Sequence, residues 1–297
     1  MKPSPSAPSR DFAASPEAVA LAAEPIVRAA LLEDIGRGGD LTTEAIVEPN
    51  REATARIVAR AGGVIAGVSV AMLAFRLLEE RIGAAILAGD GERVEPGGVV
   101  AQIEGSARAI LTAERTALNL LSHLSGIATA TRTLVDIVAG TRAKIADTRK
   151  TTPGLRALER YAVACGGGTN HRFGLDDGVL IKDNHLALAG SIREAVAAAR
   201  VRAGHMVKVE VEVDTVEQLQ EALLEPIDAV LLDNMSPAML AEAVRVVDGR
   251  VIVEASGGVN ESNVLEVAHT GVDVISVGGL THSAPALDLS LEMLALS

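Results

Sequence analysis

Short apolar, β-branched runs alternate with helix-forming stretches in the second half of the chain. Helical stretches such as SIREAVAAARVRA and VEQLQEALL separate several of the runs. This alternation is typical of parallel strands joined by crossover helices, and its spacing predicts a barrel or a doubly wound sheet from residue 140 onward. The six runs are AKIAD, GVLIKD, VKVEVEV, AVLLD, VIVEAS and VDVISVGG.

The preceding part of the chain has a different pattern, in which short strands are separated by tight turns. Such spacing favours an antiparallel or mixed sheet. Residues 112–138 predict a long helical stretch, either one helix or two helices broken near Gly126. The other predicted elements are a helix over 17–34 that ends near Gly36, strands within 52–67, a helix over 69–81, and strands over 84–89 and 99–104.

Each of the six runs is followed by, or ends in, polar or glycine residues. In parallel β/α folds the functional loops lie at the carboxyl ends of the strands. Polar strand ends are also expected where loops simply reach solvent, but six in succession favour a site for a charged ligand and a metal. The residues are Asp147-Thr148-Arg149-Lys150, Lys182-Asp183-Asn184-His185, Glu210 and Glu212, Asp233-Asn234, Glu254 with Ser256-Gly257-Gly258, and Gly278-Gly279.

Composition narrows the function classes. The 297 residues carry a net charge of −12 and one cysteine, with no Trp, one Tyr and three Phe. This balance argues against binding nucleic acid or an anionic membrane through overall charge. The core must be aliphatic, and the lone cysteine fits a reducing compartment. Residues 1–16 have the composition of a flexible tail and not of a secretory signal. With no apolar run of spanning length, the expectation is a soluble cytoplasmic protein.

One segment runs against this acidic character. Between Arg142 and His185 there are eight Lys or Arg residues and five acidic ones. Arg offers a planar fork for carboxylates, and Lys offers a point charge for phosphates. A set of ordinary surface ion pairs is the alternative, but cations concentrated at strand ends favour a small, multiply anionic substrate.

The same segment carries a specific resemblance. The stretch DTRKTTPGLRALERYAVACGGGTNHRFGLDDGVLIKDNH resembles the quinolinate phosphoribosyltransferase family, as do LLEDIGRGGDLTTE, ERTALNLLSHLSGIAT, VEVEVDT, VLLDNM, VEASGGV and DVISVGGLTHSAPALD. The resemblance implies an N-terminal α/β sandwich domain followed by an incomplete parallel α/β barrel, with a C-terminal helix that returns to the first domain. We therefore expect domains over 17–126 with 286–297, and over 127–285.

The resemblance also implies the activity. Members of this family are pentosyltransferases that join quinolinate to phosphoribosyl pyrophosphate with Mg²⁺, giving nicotinate mononucleotide, pyrophosphate and CO₂ for NAD biosynthesis. They act as dimers in which the partner subunit completes the site. By resemblance, Arg115 reaches into the neighbouring subunit, although an ordinary exposed helix arginine is the alternative.

Site residues follow from the matched motifs. Quinolinate is expected at Arg149, His171 and Arg172, with Lys150 meeting substrate or phosphate charge and Thr148 donating from its hydroxyl. Lys182 is expected between the two substrates, where an ammonium stabilises developing negative charge. Glu212 and Asp233 are expected to bind the ribose hydroxyls and Mg²⁺, which prefers oxygen ligands, with Glu210 as a supporting carboxylate. The catalytic residues on this reading are Lys182, Glu212 and Asp233. The 5′-phosphate is expected at Ser256, Gly257, Gly258, Gly278 and Gly279.

Two other readings stay open from the sequence. One is a paralogue of the same fold associated with molybdenum transport, since a paralogue can retain many of these residues. The other is a non-catalytic barrel that binds a phosphorylated sugar as a sensor. Both would lack nicotinate mononucleotide formation.

Overall fold

A computed structural model describes residues 16–294 of the chain. The predicted tail, except for its last residue, lies outside this range. None of the helices between these limits is long and apolar enough to cross a membrane.

Strands and helices are numbered here along the described chain. The strands are β1 (Glu52–Ala59), β2 (Gly63–Val64), β3 (Gly83–Ile86), β4 (Arg93–Val94), β5 (Val99–Ser106), β6 (Lys144–Ala146), β7 (Val179–Ile181), β8 (Val209–Val213), β9 (Ala229–Asp233), β10 (Ile252–Ser256), β11 (Val274–Ser276) and β12 (Leu289–Met293). The helices are α1 (Pro16–Ile35), α2 (Leu41–Ile46), α3 (Val68–Leu78), α4 (Ala107–Ile137), α5 (Arg156–Cys165), α6 (Asp183–Ala189), α7 (Ile192–Arg202), α8 (Val216–Ala222), α9 (Pro237–Val247), α10 (Val264–His269) and α11 (Gly279–His282).

The chain divides into two compact units. Among the described residues, the first contains the chain from residue 16 up to Arg132, Thr151–Gly167, and the part from Ser283 to Leu294. Its described residues form an antiparallel sheet in the order β12-β1-β5-β3 and a two-stranded ribbon of β2 and β4. Helix α1 packs against α3 and α5. The core is aliphatic apart from Phe75 and Tyr161, as the scarcity of aromatic residues requires.

The expectation of a C-terminal helix is wrong for residues 289–293. Residues 289–293 form strand β12 and not a helix, and β12 pairs antiparallel with β1 from Ala55↔Met293 to Ala59↔Leu289. The sequence LSLEM alternates apolar and polar side chains with period two, which suits a sheet surface and cannot form one apolar helix stripe. The expected return to the first domain is therefore made by main-chain pairing.

Helix α4 resolves another open point, because it runs from Ala107 to Ile137 without a break at Gly126. A Cβ atom at Gly126 would overlap the backbone carbonyl oxygen of Pro285. Glycine in a helix interior costs about 1 kcal/mol relative to alanine. Here it allows the close approach of another backbone segment and does not end the helix.

The second unit contains Thr133–Lys150 and Gly168–His282. Its described residues form a six-stranded sheet in the order β6-β11-β10-β9-β8-β7, in which every pair is parallel. All six runs of the sequence pattern are these strands. The sheet is open, since β6 and β7 are its edges. The predicted fold class, an N-terminal α/β domain followed by an incomplete parallel α/β barrel, is confirmed.

Candidate active site

The strand register places the acidic residues of β8, β9 and β10 on one face of the six-stranded sheet. Leu180 pairs with Glu210, Glu212 with Leu231, and Ser256 with Asp233. Because side chains alternate along a strand, residues two apart share a face. Parallel strands end at the same edge, so the polar ends converge there. The residues sharing this face are Glu210, Glu212, Asp233, Glu254, Ser256 and Ser276.

Two cationic segments of this edge are joined through Asp147, the residue after β6. Asp147 is fully buried. Its carboxylate accepts hydrogen bonds from Asn170 Nδ2 at 2.5 Å and from the backbone N–H of His171 at 2.8 Å. The loop that carries His171 and Arg172 is thereby held against the start of the Thr148–Arg149–Lys150 segment.

The Thr148–Arg149–Lys150 segment is also held by a hydrogen bond from helix α11. The Thr281 hydroxyl, which is 1% exposed, donates to the Lys150 carbonyl at 2.7 Å. The backbone N–H of Lys150 donates to Thr148 Oγ1 at 3.1 Å. These bonds leave the Lys150 ammonium available for a ligand while the backbone that carries it is fixed.

Arg149 and Arg172 form a cationic pair. Burial, followed by the charge of Arg149, lowers the pKa of the Arg172 guanidinium. The two guanidiniums therefore lie near enough for their charges to repel each other. Arg172 donates to the Gly178 carbonyl at 2.8 Å. The Nε atom of Arg149 is buried and has no hydrogen-bond partner among the described residues. Two guanidiniums held this way can bind the two carboxylates of a small diacid.

His171 lies between two glutamates. Its Nδ1 accepts the backbone N–H of Arg172 at 2.7 Å, and its Nε2 lies 3.2 Å from Glu210 Oε2 and 3.6 Å from Glu254 Oε1. Burial works against the charged imidazole, but the hydrogen bond to Glu210 and the charges of Glu254 and Glu210 raise the pKa of His171 overall. The ring is therefore oriented by its neighbours on both nitrogens.

Glu254 is the most deeply buried of these carboxyl groups that face His171. Burial, followed by the charge of Glu210, raises its pKa to about 7. Within residues 16–294, His171, Glu210 and Glu254 are the group of His, Cys, Asp and Glu side chains close enough to share one metal ion. However, Nδ1 already accepts a backbone N–H, so Nε2 carries the ring hydrogen and has no lone pair for a metal. We interpret His171 and Glu210 as a hydrogen-bonded pair that faces Glu254, whose buried Oε1 has no hydrogen-bond partner among the described residues.

Lys182 and Glu212 end neighbouring strands and form an ion pair, with Nζ 2.5 Å from Oε2. Asp233 accepts a hydrogen bond from Asn234 Nδ2 at 2.6 Å. Each carboxylate keeps a second oxygen for a further partner. Since Mg²⁺ usually takes one or two carboxylates together with substrate phosphates and waters, the oxygen donors present fit this ion.

Each of the two predicted phosphate loops has a position at which the structure favours glycine. Gly257 has φ +96°, and a Cβ there would overlap the Asn234 amide. A Cβ at Gly278 would lie 2.9 Å from Lys150 Cδ. Positive φ and close approach are the conditions that favour glycine. Gly258 and Gly279 instead face open space, so a ligand can approach their backbone, and Gly279 begins α11.

Arg115 lies in the first unit and apart from this group of residues in the chain. Its side chain is 71% exposed, and its guanidinium lies 3.2 Å from Glu114 Oε1. The expected role in a neighbouring subunit stays a prediction.

The sequence names Asp147, Glu210, Asn234 and Glu254 as polar strand ends but gives none of them a substrate role, and it does not single out Asn170. The signal for the two glutamates is the period-two pattern of VEVEV and VIVEAS, which places them on the same face as Glu212 and Ser256. Asn170 has no such signal because it lies outside the strands.

The fold and this edge are together typical of an α/β enzyme whose ligand site lies at the carboxyl ends of parallel strands. Comparison with known families is more specific. The model for the quinolinate phosphoribosyl transferase N-terminal domain matches residues 40–125, and that for the C-terminal domain matches residues 127–292. The chain belongs to this family, as its motifs indicated.

Similar proteins agree with this assignment. A nicotinate-nucleotide pyrophosphorylase [carboxylating] of Mycobacterium leprae is 47% identical, over 92% of this chain and 97% of the relative. A probable enzyme of the same name from Bacillus subtilis is 46% identical, over 88% of this chain and 90% of the relative. The solved nicotinate-nucleotide pyrophosphorylase of Francisella tularensis superposes with a TM-score of 0.89 at 38% identity, over 93% of this chain and 97% of that one.

Proposed function

We propose that this protein transfers the phosphoribosyl group of phosphoribosyl pyrophosphate to quinolinate and removes one carboxylate, giving nicotinate mononucleotide, pyrophosphate and CO₂. This is the pentosyltransferase step of de novo NAD biosynthesis. The observation that carries the proposal beyond family membership is the adjacent pair Arg149 and Arg172, since two guanidiniums suit the two carboxylates of quinolinate. His171 and Lys150 add polar and cationic contacts to the same edge of the sheet.

The chemistry requires positioning and charge stabilisation more than a protein nucleophile. The pyridine nitrogen attacks the anomeric carbon as the bond to pyrophosphate breaks. The ring is then a pyridinium. When the carboxylate beside the nitrogen leaves as CO₂, its bonding electron pair stays on the ring carbon, which the neighbouring cationic nitrogen stabilises. That carbon then takes one proton. Arg149 and Arg172 orient the acid, and Lys182 stabilises negative charge on the departing pyrophosphate.

Mg²⁺ is the proposed cofactor. When bound, it would neutralise charge on the pyrophosphate oxygens, and Glu212 and Asp233 would hold it together with the substrate. The same two carboxylates are proposed to accept hydrogen bonds from the ribose hydroxyls. Ser256, Gly257, Gly258, Gly278 and Gly279 are proposed to bind the 5′-phosphate through backbone N–H groups.

A homodimer is proposed as the working form, with Arg115 of each subunit reaching the neighbouring site. The exposure of Arg115 and its single contact with an adjacent residue in the chain support this role, because such a side chain is free to bind elsewhere. A cytoplasmic location is also proposed. The lone cysteine, Cys165, supports it, since its thiol is not committed to a disulfide.

The test mixes the purified protein with quinolinate, phosphoribosyl pyrophosphate and Mg²⁺ and detects nicotinate mononucleotide by mass spectrometry, with nicotinate as a parallel substrate. Product from quinolinate alone is expected. Product from nicotinate alone would keep the transfer chemistry but overturn the diacid. No product from either, with a folded protein, would favour the paralogue or the sensor.

A further inference from the structure

Asp147 is a buried carboxylate to which the sequence analysis gives no substrate role. It is fully buried, and its two oxygens accept hydrogen bonds from Asn170 and from the backbone of His171. Its backbone N–H donates to the Thr169 carbonyl at 3.2 Å. The Thr169 N–H in turn donates to the Ile145 carbonyl at 2.8 Å. The end of β6 and the 169–171 segment are therefore tied by main-chain and side-chain bonds.

The two tied segments carry the two guanidiniums of the diacid site. Arg149 follows Asp147 by two residues, and Arg172 follows His171 directly. Like charges repel, and the buried environment of Arg172 screens that repulsion less than water would. Without a restraint, the loop that carries Arg172 would relax away from Arg149. The Asp147 carboxylate opposes that motion because both of its oxygens bind donors on the Arg172 side.

We propose that Asp147 is a positioning residue that holds Arg149 and Arg172 at the spacing of two carboxylates and thereby sets the preference for a diacid over a monoacid. The inference rests on the proposed function, since it assumes that both guanidiniums bind quinolinate. A monoacid needs only one guanidinium and is insensitive to their spacing. A diacid needs both at once, so its affinity depends on the restraint.

Exchanging the side chains of Asp147 and Asn170 tests the inference. Asp147→Asn places two amide groups face to face, Asn170→Asp places two carboxylates face to face, and the double variant restores one amide and one carboxylate in reversed order. Asn170→Ala removes the hydrogen bond to Asp147 without creating a clash and serves if the other single variants do not fold. The matched control is Asp176→Asn, which removes an exposed charge from the same loop region.

Binding of quinolinate and of nicotinate to each variant would be measured by calorimetry, with kcat and the KM of phosphoribosyl pyrophosphate measured alongside. For Asp147→Asn we expect quinolinate binding to weaken by about tenfold or more, as for loss of a hydrogen bond to a charged group. We expect nicotinate binding to change by less than about threefold, since one hydrogen-bonded guanidinium still serves it. The double variant should recover most of the loss, and Asp176→Asn should match the wild type.

Three results would overturn the inference. Equal weakening of both acids would mean that Asp147 only supports the fold. Quinolinate binding equal to wild type in every variant of the pair, with quinolinate still turned over by the wild type, would remove the inference and leave the proposed function intact. A wild-type protein that binds no quinolinate would overturn both.

Discussion

Glu254→Gln is expected to stabilise the folded protein at pH 8, which is unusual for the removal of a carboxyl group. The side chain is 5% exposed and faces His171, Glu210, Asp147 and Ser276. Burial, followed by the charge of Glu210, raises its pKa from 4.5 to about 7 in the folded protein. A carboxyl group whose pKa is raised on folding stabilises the protein fully below its unfolded pKa. That contribution is lost as the pH rises toward the folded pKa.

The magnitude follows from the size of the shift. Each pKa unit corresponds to about 1.4 kcal/mol, so the rise from 4.5 to about 7 amounts to about 3 kcal/mol, most of it lost between pH 5 and pH 8. Glutamine has nearly the same shape and no charge. We expect Glu254→Gln to be close to wild type in stability at pH 5 and more stable at pH 8. About 3 kcal/mol is the upper end, because His171 loses a carboxylate partner in the variant.

The assay is urea unfolding at pH 5 and pH 8. Unfolding is monitored by far-UV circular dichroism because the chain has no Trp. Glu242→Gln, at an exposed position on α9, is the control and should match wild type at both values. A Glu254→Gln protein that is less stable than wild type at pH 8, or whose advantage does not grow from pH 5 to pH 8, would refute the reasoning.

Three further predictions concern the site. Arg172→Ala should lower kcat/KM for quinolinate by about 10- to 100-fold with little effect on the KM of phosphoribosyl pyrophosphate, since one charged hydrogen-bonding group is lost; an unchanged value in steady-state kinetics would sink that assignment. Asp233→Ala should raise the concentrations of Mg²⁺ and phosphoribosyl pyrophosphate needed for half-maximal rate, and saturation curves equal to wild type would contradict the role. Gly257→Ala should lower thermal stability by about 1 kcal/mol or more because its φ is positive and its Cβ has no space. Gly204→Ala, which faces open space, is the control in the same melting experiment, and equal melting of the two variants would argue against the steric reason.

Local pattern predicted much of the second unit. Each apolar run ended in polar residues, and all six are strands of one parallel sheet. Period-two alternation alone predicts that Glu210 and Glu212 lie on one face of the sheet. The long motifs identified the family, which the matches to both domains confirm. These features could be predicted because strand alternation and motif spacing are properties of neighbouring residues.

The first unit shows where local pattern misleads. Gly126 is a helix breaker by propensity, yet α4 continues through it because the backbone of Pro285 packs there. The end of the chain was expected to be helical from the resemblance, yet β1 offers it an edge to pair with, and its own alternation suits that edge. In both cases a partner more than a hundred residues away in the chain decides the outcome.

The sequence by itself determined the family, the succession of elements and the strand ends at which the charged side chains lie. Only the tertiary structure decided which of those side chains meet. Asp147 binds the loop of His171, Lys182 pairs with Glu212, and Glu254 faces His171 from a strand more than eighty residues further along. Periodicity acts over a few residues, whereas these contacts depend on the order and register of parallel strands, which no short stretch of sequence encodes.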